Sequence, residues 1–335
     1  MSTPSSVADV GEHALIARVR ARVPPAPAWI VIGLGDDAAV VEPARNLLEV
    51  LTTDALVEGV HFDRAFTPPR AIGHRALAVN LSDLAAMGAS PRSALLSLAL
   101  PPALPLADFE AMLDGFMALA AAHGVALIGG NITRSPGPLM VDVTAIGTAR
   151  RRRVLSRAGA RPGDEIWVSG EIGAAAAGLQ SLTAGGRAGE PMAACEAAFL
   201  EPQPRVRLGT LLGRNRAASS CVDLSDGLAD GLHQLAEASG VGLVVDGAAI
   251  PVSAGARGWF EARHADPLAA AITGGDDYEL LFTVRPRGRS RFETVRRQAR
   301  GLRLTKIGTV RREPGVLMTR GGMSGPVPSG YIHFR

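Results

Sequence analysis

Short apolar runs that end in aspartate recur along this chain, and they constrain its fold more than any other feature of the sequence. Trp29 to Leu34 leads into Gly35-Asp36-Asp37, and Leu47 to Thr53 ends at Asp54. Runs of this length that stop at turn residues are typical of buried strands. Helical periodicity separates them, over 11–23, 69–87 and 106–123. A further strand, Ala126 to Ile128, is expected to open into a loop at Gly129-Gly130-Asn131. The alternation predicts a mixed α/β protein whose strands deliver carboxylates at their ends.

The second half of the chain repeats this order of strands and helices. Two of its apolar runs adjoin Asp223-Leu224-Ser225-Asp226-Gly227 and Gly274-Gly275-Asp276-Asp277. A chain of 335 residues, 47% of them hydrophobic, is long enough for two separately packed cores. We therefore expect two domains, residues 1–149 and residues 150–335.

The charge balance argues against a nucleic-acid partner. Lys and Arg number 35 and Asp and Glu 32, so the net charge is only +3. The longest basic run, Arg150 to Arg153, has no interleaved aromatic residues and falls where the two domains are expected to join. We interpret this run as a solvated linker rather than a nucleic-acid surface.

The two cysteines, Cys195 and Cys221, lack the short spacing of a metal site and are too few for a disulfide framework. Asp9, Glu12 and His13 precede any apolar stretch, which is not the order of a secretory signal. No apolar run approaches the ~20 residues that a membrane span needs. We expect a reduced, cytoplasmic protein without a membrane partner.

The acidic residues at strand ends or beside glycine predict a magnesium site. Carboxylates next to buried backbone are costly unless a cation neutralises them. Hard oxygen ligands favour magnesium or calcium, and magnesium suits a site that shares its ion with phosphate groups. The adjoining glycines let backbone N–H groups approach a phosphate. These acids are Asp36, Asp37, Asp54, Asp83, Asp223, Asp226, Asp276 and Asp277.

The nucleotide that such a site implies is not held by a standard phosphate loop. The chain has no G-x-x-x-x-G-K-[ST] segment, and the segment Gly33 to Ala38 lacks the third glycine of G-x-G-x-x-G. Ordinary structural roles remain open for single residues: Asp36 or Asp37 in a turn, Asp223 or Asp226 as helix caps. Asp83 is harder to explain in this way, because a carboxylate within an apolar helix requires a partner.

The sequence resembles the thiamine-monophosphate kinases of the aminoimidazole-ribonucleotide-synthetase-like superfamily, nearly from end to end. The segments that carry the resemblance are Gly33 to Ala38, Thr52 to Phe62, Ala76 to Gly88, Ile128-Gly129-Gly130, Arg157-Ala158-Gly159, Pro162-Gly163-Asp164, Asp223 to Gly227, Gly274 to Leu280 and Gly330 to Phe334.

The resemblance implies a two-domain PurM-like fold of the α/β (α+β) class. Residues 1–149 would bind ATP and magnesium and form the barrel of a homodimer, and residues 150–335 would form a second α/β domain. The implied reaction is ATP-dependent phosphorylation of thiamine monophosphate to thiamine diphosphate. Because the acceptor is itself anionic, several Mg²⁺ ions would neutralise both ligands for direct in-line transfer.

The same resemblance implies a role for individual residues. The implied metal ligands are Asp37, Thr52, Thr53, Asp54, Asp83, Asn131, Asp223 and Asp226, with the two threonines offering hydroxyl or backbone oxygens. The implied ATP contacts are Gly130, Asn131, Arg157 and Ser225, and the catalytic candidates among these sets are Asp226 and Arg157. The implied contacts to the thiamine end are His61, Asp276 and Tyr331. A guanidinium can fork onto phosphate oxygens, and a tyrosine ring offers a stacking face.

Two positions depart from the family pattern. Asn131 stands where the family carries aspartate, and Asp276 stands where many members carry glutamate. An amide oxygen can bind magnesium but brings no charge, so we expect weaker magnesium affinity at Asn131. Two alternatives remain open: a nucleotide-binding homologue with weakened catalysis, and another ATP-using member of the superfamily. Selenophosphate synthesis is excluded, because the first cysteine is Cys195 and no N-terminal reactive cysteine exists.

Overall fold

The computed structural model of the protein describes residues 6–186, 189–328 and 330. The described chain forms two compact units. The first contains residues up to 84 together with Ser90–Ala149, and the second contains Ala85–Ala89 and the chain from Arg150 onward. Within the described ranges, no helix combines the length and apolar character required to cross a bilayer.

The first unit is a four-stranded sheet with helices, preceded by a short antiparallel strand pair. Its helices are α1 (Val7–Val10), α2 (Glu12–Arg22), α3 (Pro69–Ala86) and α4 (Leu106–His123). Its strands are β1 (Ile30–Ile32), β2 (Val40–Val41), β3 (Leu48–Val57), β4 (Ser90–Leu100), β5 (Ala126–Arg134) and β6 (Met140–Ala149). β1 pairs with β2, and the larger sheet has the order β3-β6-β4-β5.

This sheet has one buried and one open face. Along β6, Val141, Val143 and Ala145 are buried and alternate with more accessible residues such as Met140 and Asp142. Period-two alternation of this kind marks a sheet that is packed on one side only. The open face therefore carries both apolar and polar side chains.

Helices α3 and α4 cross in backbone contact. A Cβ at Gly73 would lie 1.8 Å from the carbonyl oxygen of Met112, and a Cβ at Gly115 would lie 1.9 Å from that of Arg70. Only glycine permits such an approach. The contact brings the two helices together through a glycine on each of them.

The second unit is a seven-stranded sheet with seven α-helices among its described residues. The helices are α5 (Ala174–Thr183), α6 (Glu190–Leu200), α7 (Val206–Asn215), α8 (Leu228–Ser239), α9 (Ala254–Glu261), α10 (Pro267–Thr273) and α11 (Arg289–Gln298). The strands are β7 (Glu165–Ser169), β8 (Ser220–Asp223), β9 (Gly242–Asp246), β10 (Leu280–Val284), β11 (Leu304–Arg311), β12 (Gly315–Arg320) and β13 (Met323–Pro326). The sheet order is β13-β12-β9-β11-β7-β10-β8.

The core of this unit packs helices against the sheet. Ile166, Leu232, Leu243 and Leu281 are at most 1% exposed and belong to one apolar cluster. The end of α3 is part of this unit, because α7 lies against it: a Cβ at Gly209 would be 1.9 Å from the carbonyl oxygen of Ala85. Five residues from the first half of the chain thus pack with the second half.

The mixed α/β class predicted from the sequence is confirmed, with one local correction. The expected helices 11–23, 69–87 and 106–123 correspond to α2, α3 and α4 within a residue at each end. The strand expected to end at Ile128 instead continues to Arg134 as β5. Gly129, Gly130 and Asn131 therefore lie within a strand and not in a loop, because β4 continues to pair with them.

Candidate functional site

In the first unit, the structure brings together two of the residues expected to bind metal. The Thr52 hydroxyl donates a hydrogen bond to the Asp83 carboxylate, so β3 and α3 each supply one oxygen. Asp54 lies two residues further along β3, on the same face as Thr52. All three side chains are half-buried. Thr52 and Asp54 therefore share one face of β3, and Asp83 of α3 contacts that face through Thr52.

Thr53 and Asn131 lie on the opposite face of the same sheet. The Thr53 hydroxyl is 3.1 Å from an Asp142 carboxylate oxygen and 3.1 Å from the Thr144 hydroxyl. Ser97 pairs with Asp142 on one side and with Asn131 on the other. Because paired residues point to the same face, Thr53, Asp142 and Asn131 form a polar row across the open face. The Thr53 side chain is thus separated from the Thr52–Asp83 pair.

Asp142 is a polar residue of this unit that the sequence analysis missed. It lies in the middle of β6 between Val141 and Val143, and no glycine adjoins it. It therefore lacks both features of the acids predicted to form the site, a strand end and an adjoining glycine. The signal that could have found it is the single carboxylate within an alternating apolar strand.

Gly130 is fixed by the backbone of the neighbouring strand. Its φ is +157°, and a Cβ there would lie 1.9 Å from the carbonyl oxygen of Leu96. Any other residue would push β5 away from β4. The closeness of the two strands is one physical reason for a glycine at this position.

The other predicted residues of the first unit lie in turns. The backbone N–H of Asp37 donates to the Asp36 carboxylate at 2.9 Å, so Asp36 has the local role of a turn residue, while Asp37 is exposed. The Nδ1 atom of His61 accepts from the N–H of Val57 at 3.1 Å. A neutral His61 therefore carries its proton on Nε2, which leaves that atom as a donor.

In the second unit, two predicted segments that are distant in sequence form one assembly. Asp223 ends β8 and pairs with Leu280 of β10. Beyond the strands, the N–H of Asp276 donates to the carbonyl of Ser225 at 2.7 Å, and the N–H of Tyr278 donates to that of Leu224 at 2.9 Å. The loop 223–227 and the segment 274–279 are thus held together by their backbones.

Neither Asp223 nor Asp226 is the N-cap of α8. The N-cap is Gly227, and no side chain caps it. Asp223 is 7% exposed and Asp226 is half-buried. The Ser225 hydroxyl lies 3.4 Å from an Asp226 carboxylate oxygen. The helix-cap explanation for these two aspartates is not what the structure shows, and the metal-ligand hypothesis stays a prediction.

The segment 276–279 is anchored by two further acids. The Asp277 carboxylate accepts from the N–H of Gly173 at 3.0 and 2.9 Å, at the start of α5. Burial raises the pKa of Asp277 well above its ordinary value, although the N–H groups of Gly173 and Ala175 oppose that rise. The Glu279 carboxylate binds the Arg205 guanidinium at both oxygens. These anchors fix the backbone that carries Asp276.

The remaining predicted residues of the second unit are Arg157 and Tyr331. Arg157 is exposed, and its carbonyl oxygen accepts from the Ser239 hydroxyl at 3.1 Å. Tyr331 lies outside the described residues. Its neighbour Gly330 is described, and a Cβ there would lie 2.8 Å from the carbonyl oxygen of Asp226. The chain therefore reaches the assembly of the second unit immediately before Tyr331.

The residues fit a magnesium ion by the chemistry of their donor atoms. The donors are carboxylate, hydroxyl and amide oxygens, which magnesium prefers over nitrogen and sulfur. Among residues 6–186, 189–328 and 330, no three His, Cys, Asp or Glu side chains are grouped closely enough to hold a metal ion alone. Such sparse donors suit an ion that takes most ligands from water and phosphate.

Comparison with known proteins identifies the class. The model of the AIR synthase related protein N-terminal domain matches residues 35–149, and that of the C-terminal domain matches residues 161–319. This fold and its acid-bearing loops define a two-domain protein of the AIR synthase related type. The predicted PurM-like fold class is confirmed.

Closer relatives narrow the assignment. Thiamine-monophosphate kinase of Salmonella typhimurium is 39% identical over 97% of this chain and 98% of its own length. The Bacillus subtilis enzyme is 35% identical over 91% of this chain and 94% of its own. The chain belongs to the thiamine-monophosphate kinase family. The prediction that it is an enzyme of the phosphotransferase class is confirmed.

Solved structures agree with these relatives. Thiamine-monophosphate kinase from Stenotrophomonas maltophilia superposes with a TM-score of 0.81 at 41% identity, covering 92% of this chain and 96% of that one. A structure described as AaThiL complexed with AMPPCP and TMP has a TM-score of 0.77 at 32% identity and covers 99% of this chain and all of that one. A hydrogenase maturation protein, at 21% identity, shows the fold alone.

Proposed function

We propose that this chain is a thiamine-monophosphate kinase that transfers the γ-phosphoryl group of ATP directly to the phosphate of thiamine monophosphate. One observation carries the proposal: a relative that covers 99% of the chain at 32% identity is described in complex with AMPPCP and TMP. The geometry supports it, since the second unit joins Asp223–Gly227, Gly274–Glu279 and Gly330.

The proposed metal ligands are those that the family resemblance implies, and the contact between Thr52 and Asp83 supports part of the set. Thr52, Asp54 and Asp83 would hold magnesium in the first unit, and Asp223 and Asp226 would hold it in the second. Asp37, Asn131 and the backbone oxygen of Thr53 complete the proposed set. When bound, several magnesium ions supply charge neutralisation between two anionic ligands. No residue is required to form a covalent intermediate.

The remaining residues bind and orient the two substrates. Gly130, Asn131 and Ser225 would contact ATP, and the exposed Arg157 guanidinium would fork onto its phosphate oxygens. Arg157 and Asp226 are the proposed catalytic residues because they would contact the phosphates that react. His61, Asp276 and Tyr331 would contact the thiamine end.

The test of the activity is detection of thiamine diphosphate by mass spectrometry after incubation with ATP and magnesium. A parallel incubation without thiamine monophosphate measures unproductive ATP hydrolysis. We expect product and ADP in equal amounts, and both dependent on the acceptor. ADP release without the acceptor, or nucleotide binding without product, would contradict the proposal and favour a homologue with weakened catalysis.

We also propose that the enzyme is a cytoplasmic homodimer that pairs through the open face of its first unit. Leu51 on β3 is 63% exposed and Met140 on β6 is 38% exposed. Leu51 pairs with Ile146 and Met140 with Val57, so exposed apolar side chains occur at two points along the β3–β6 pair. Exposed apolar side chains along an open sheet face support burial against a second copy. In the cytoplasm, Cys195 and Cys221 stay as buried thiols. Light scattering of Leu51→Asp checks the interface: we expect a monomer, and an unchanged dimer would contradict this assignment.

A further inference from the structure

The residues of the segment 276–279 are held by different groups. Asp277 and Glu279 have their carboxylates held by Gly173, Arg205 and the Ser169 hydroxyl. Asp276 and Tyr278 are held through their backbone N–H groups, which donate to the carbonyls of Ser225 and Leu224.

Asp276 and Tyr278 are both held in a rarely populated backbone conformation. Their φ values are +69° and +48°, in the left-handed region that residues other than glycine avoid. Such strain persists only where the surrounding structure determines the conformation, and it is frequent at ligand-binding positions. Here the anchored acids Asp277 and Glu279, together with the backbone bonds to Ser225 and Leu224, provide that determination.

The side chains of Asp276 and Tyr278 contact each other. The Tyr278 hydroxyl donates to the Asp276 Oδ1 atom at 3.1 Å. Tyr278 is only 7% exposed, so packing fixes its ring and hence the position of its hydroxyl. Asp276 is half-buried. A hydroxyl on a packed ring is a rigid donor, whereas an aspartate without one rotates about two side-chain bonds.

We infer that Tyr278 is a positioning residue, whose hydroxyl orients the Asp276 carboxylate toward the thiamine end of the substrate. Tyr278 acts through Asp276 and need not touch the substrate itself. The inference rests on the proposed contact between Asp276 and thiamine monophosphate. It adds a residue to which no role was given from the sequence.

The principal test removes one oxygen atom by Tyr278→Phe. We expect the Kd and KM for thiamine monophosphate to rise about tenfold, the size expected for the loss of one hydrogen bond to a charged group. The KM for ATP, the Kd for ADP and kcat should stay within about twofold, because these do not depend on Asp276. Thr294→Val, which removes a hydroxyl from α11, is the matched control and should change none of these constants.

A double-mutant cycle separates positioning from a direct contact. If Tyr278 acts through Asp276, Asp276→Ala alone should raise the Kd at least as much, and Tyr278→Phe should add nothing in the Asp276→Ala background. Additive effects of the two substitutions would overturn the inference. An unchanged Kd in Asp276→Ala would also overturn it, since no carboxylate contact would then exist to be oriented.

Calorimetric titrations distinguish the possible failures. The stoichiometry of ADP binding measured on the same samples reports the folded fraction, so a loss confined to thiamine monophosphate is not misfolding. Loss of both affinities in Tyr278→Phe would show that the hydroxyl supports the fold and would refute positioning. If the unsubstituted protein neither bound thiamine monophosphate nor formed product, the proposed function would fail. If both the unsubstituted protein and Tyr278→Phe bound thiamine monophosphate normally, the proposed function would stand and only the positioning role of Tyr278 would be refuted.

Discussion

Asn131 shows how much of the chemistry depends on single positions. It faces Ser97 across the strand pair β4–β5, and Ser97 faces Asp142 across β4–β6. The open face therefore has a carboxylate two strands away from a neutral amide. The residue type could be seen in the sequence. Its neighbours could not, because the register of three strands sets them, and register is a long-range property.

Restoring a carboxylate at this position tests its proposed role as a ligand. For Asn131→Asp we expect the magnesium concentration that gives half-maximal activity to fall about three- to tenfold, because a charged oxygen binds the ion more tightly. The measurement is a magnesium titration of initial rates at saturating substrates. An unchanged magnesium dependence would show that Asn131 is not a ligand.

A substitution at Asp83 can separate the effect of its charge on activity from its effect on the fold. Asp83→Asn keeps an oxygen that can accept from Thr52 but removes the negative charge. We expect kcat/KM to drop at least about 100-fold while the Tm changes little, because metal binding and not folding needs the charge. Asp108→Asn on α4 serves as the control. Equal activity of the two variants would refute Asp83 as a metal ligand.

At the scale of elements, the sequence predicted helices better than strands. The 3.6-residue pattern of 106–123 gave α4 its exact bounds. Strand β5 was predicted too short because glycine pairs usually mark loops. Gly130 is instead required by the carbonyl of Leu96 on β4, a contact between residues 34 positions apart. Local pattern cannot reveal which distant backbone lies beside a glycine.

The crossing of α3 and α4 gives a prediction for the stability of the first unit. In Gly115→Ala the added methyl group would lie 1.9 Å from the Arg70 carbonyl oxygen, so the helices must separate. We expect a loss of about 2–4 kcal/mol in the free energy of unfolding, the range of severe packing changes. Chemical denaturation measures it. Gly137→Ala, where a Cβ meets nothing within 4 Å, should cost little, and an equal loss in both would contradict this explanation.

At the scale of the whole molecule, one ion network makes stability depend on pH. The Glu165 carboxylate accepts from Arg289 at 2.6 Å, from Lys306 at 3.0 Å and from Trp167 at 3.2 Å. Burial raises the pKa of Glu165, but these hydrogen bonds outweigh burial, so the pKa lies below its ordinary value. A carboxylate with a lowered pKa stabilises the fold above the pKa of the unfolded chain, about 4.3.

Glu165→Gln tests that pH dependence. At pH 7 we expect the variant to lose about 1–2 kcal/mol, because a charged acceptor is replaced by a neutral one. The difference from the unsubstituted protein should shrink as the pH falls below about 4, where Glu165 itself becomes protonated. Denaturant melts at several pH values measure it, with exposed Glu261→Gln as control. If the difference in unfolding free energy between Glu165→Gln and the unsubstituted protein persisted at pH 3, packing and not charge would be responsible for it.

The repeated order of strands and helices predicts a division of the chain after residue 149. In the structure, the long segment of the second unit begins at Arg150. The sequence did not indicate that Ala85–Ala89 pack with that unit, since the contact with Gly209 on α7 joins residues more than a hundred positions apart. The two-domain arrangement 1–149 and 150–335 therefore stays a proposal.

The packing of Ala85–Ala89 with the second unit limits how halves of related proteins can be recombined. A chimera that joins residues 1–149 of one relative to the second half of another would place a foreign pentapeptide against Gly209. The backbone of Gly209 lies so close to the carbonyl oxygen of Ala85 that no Cβ fits between them. A changed side chain or a backbone shift in the pentapeptide would therefore disturb this contact. Exchanging halves between related enzymes should therefore succeed more often when positions 85–89 travel with the half that follows residue 150.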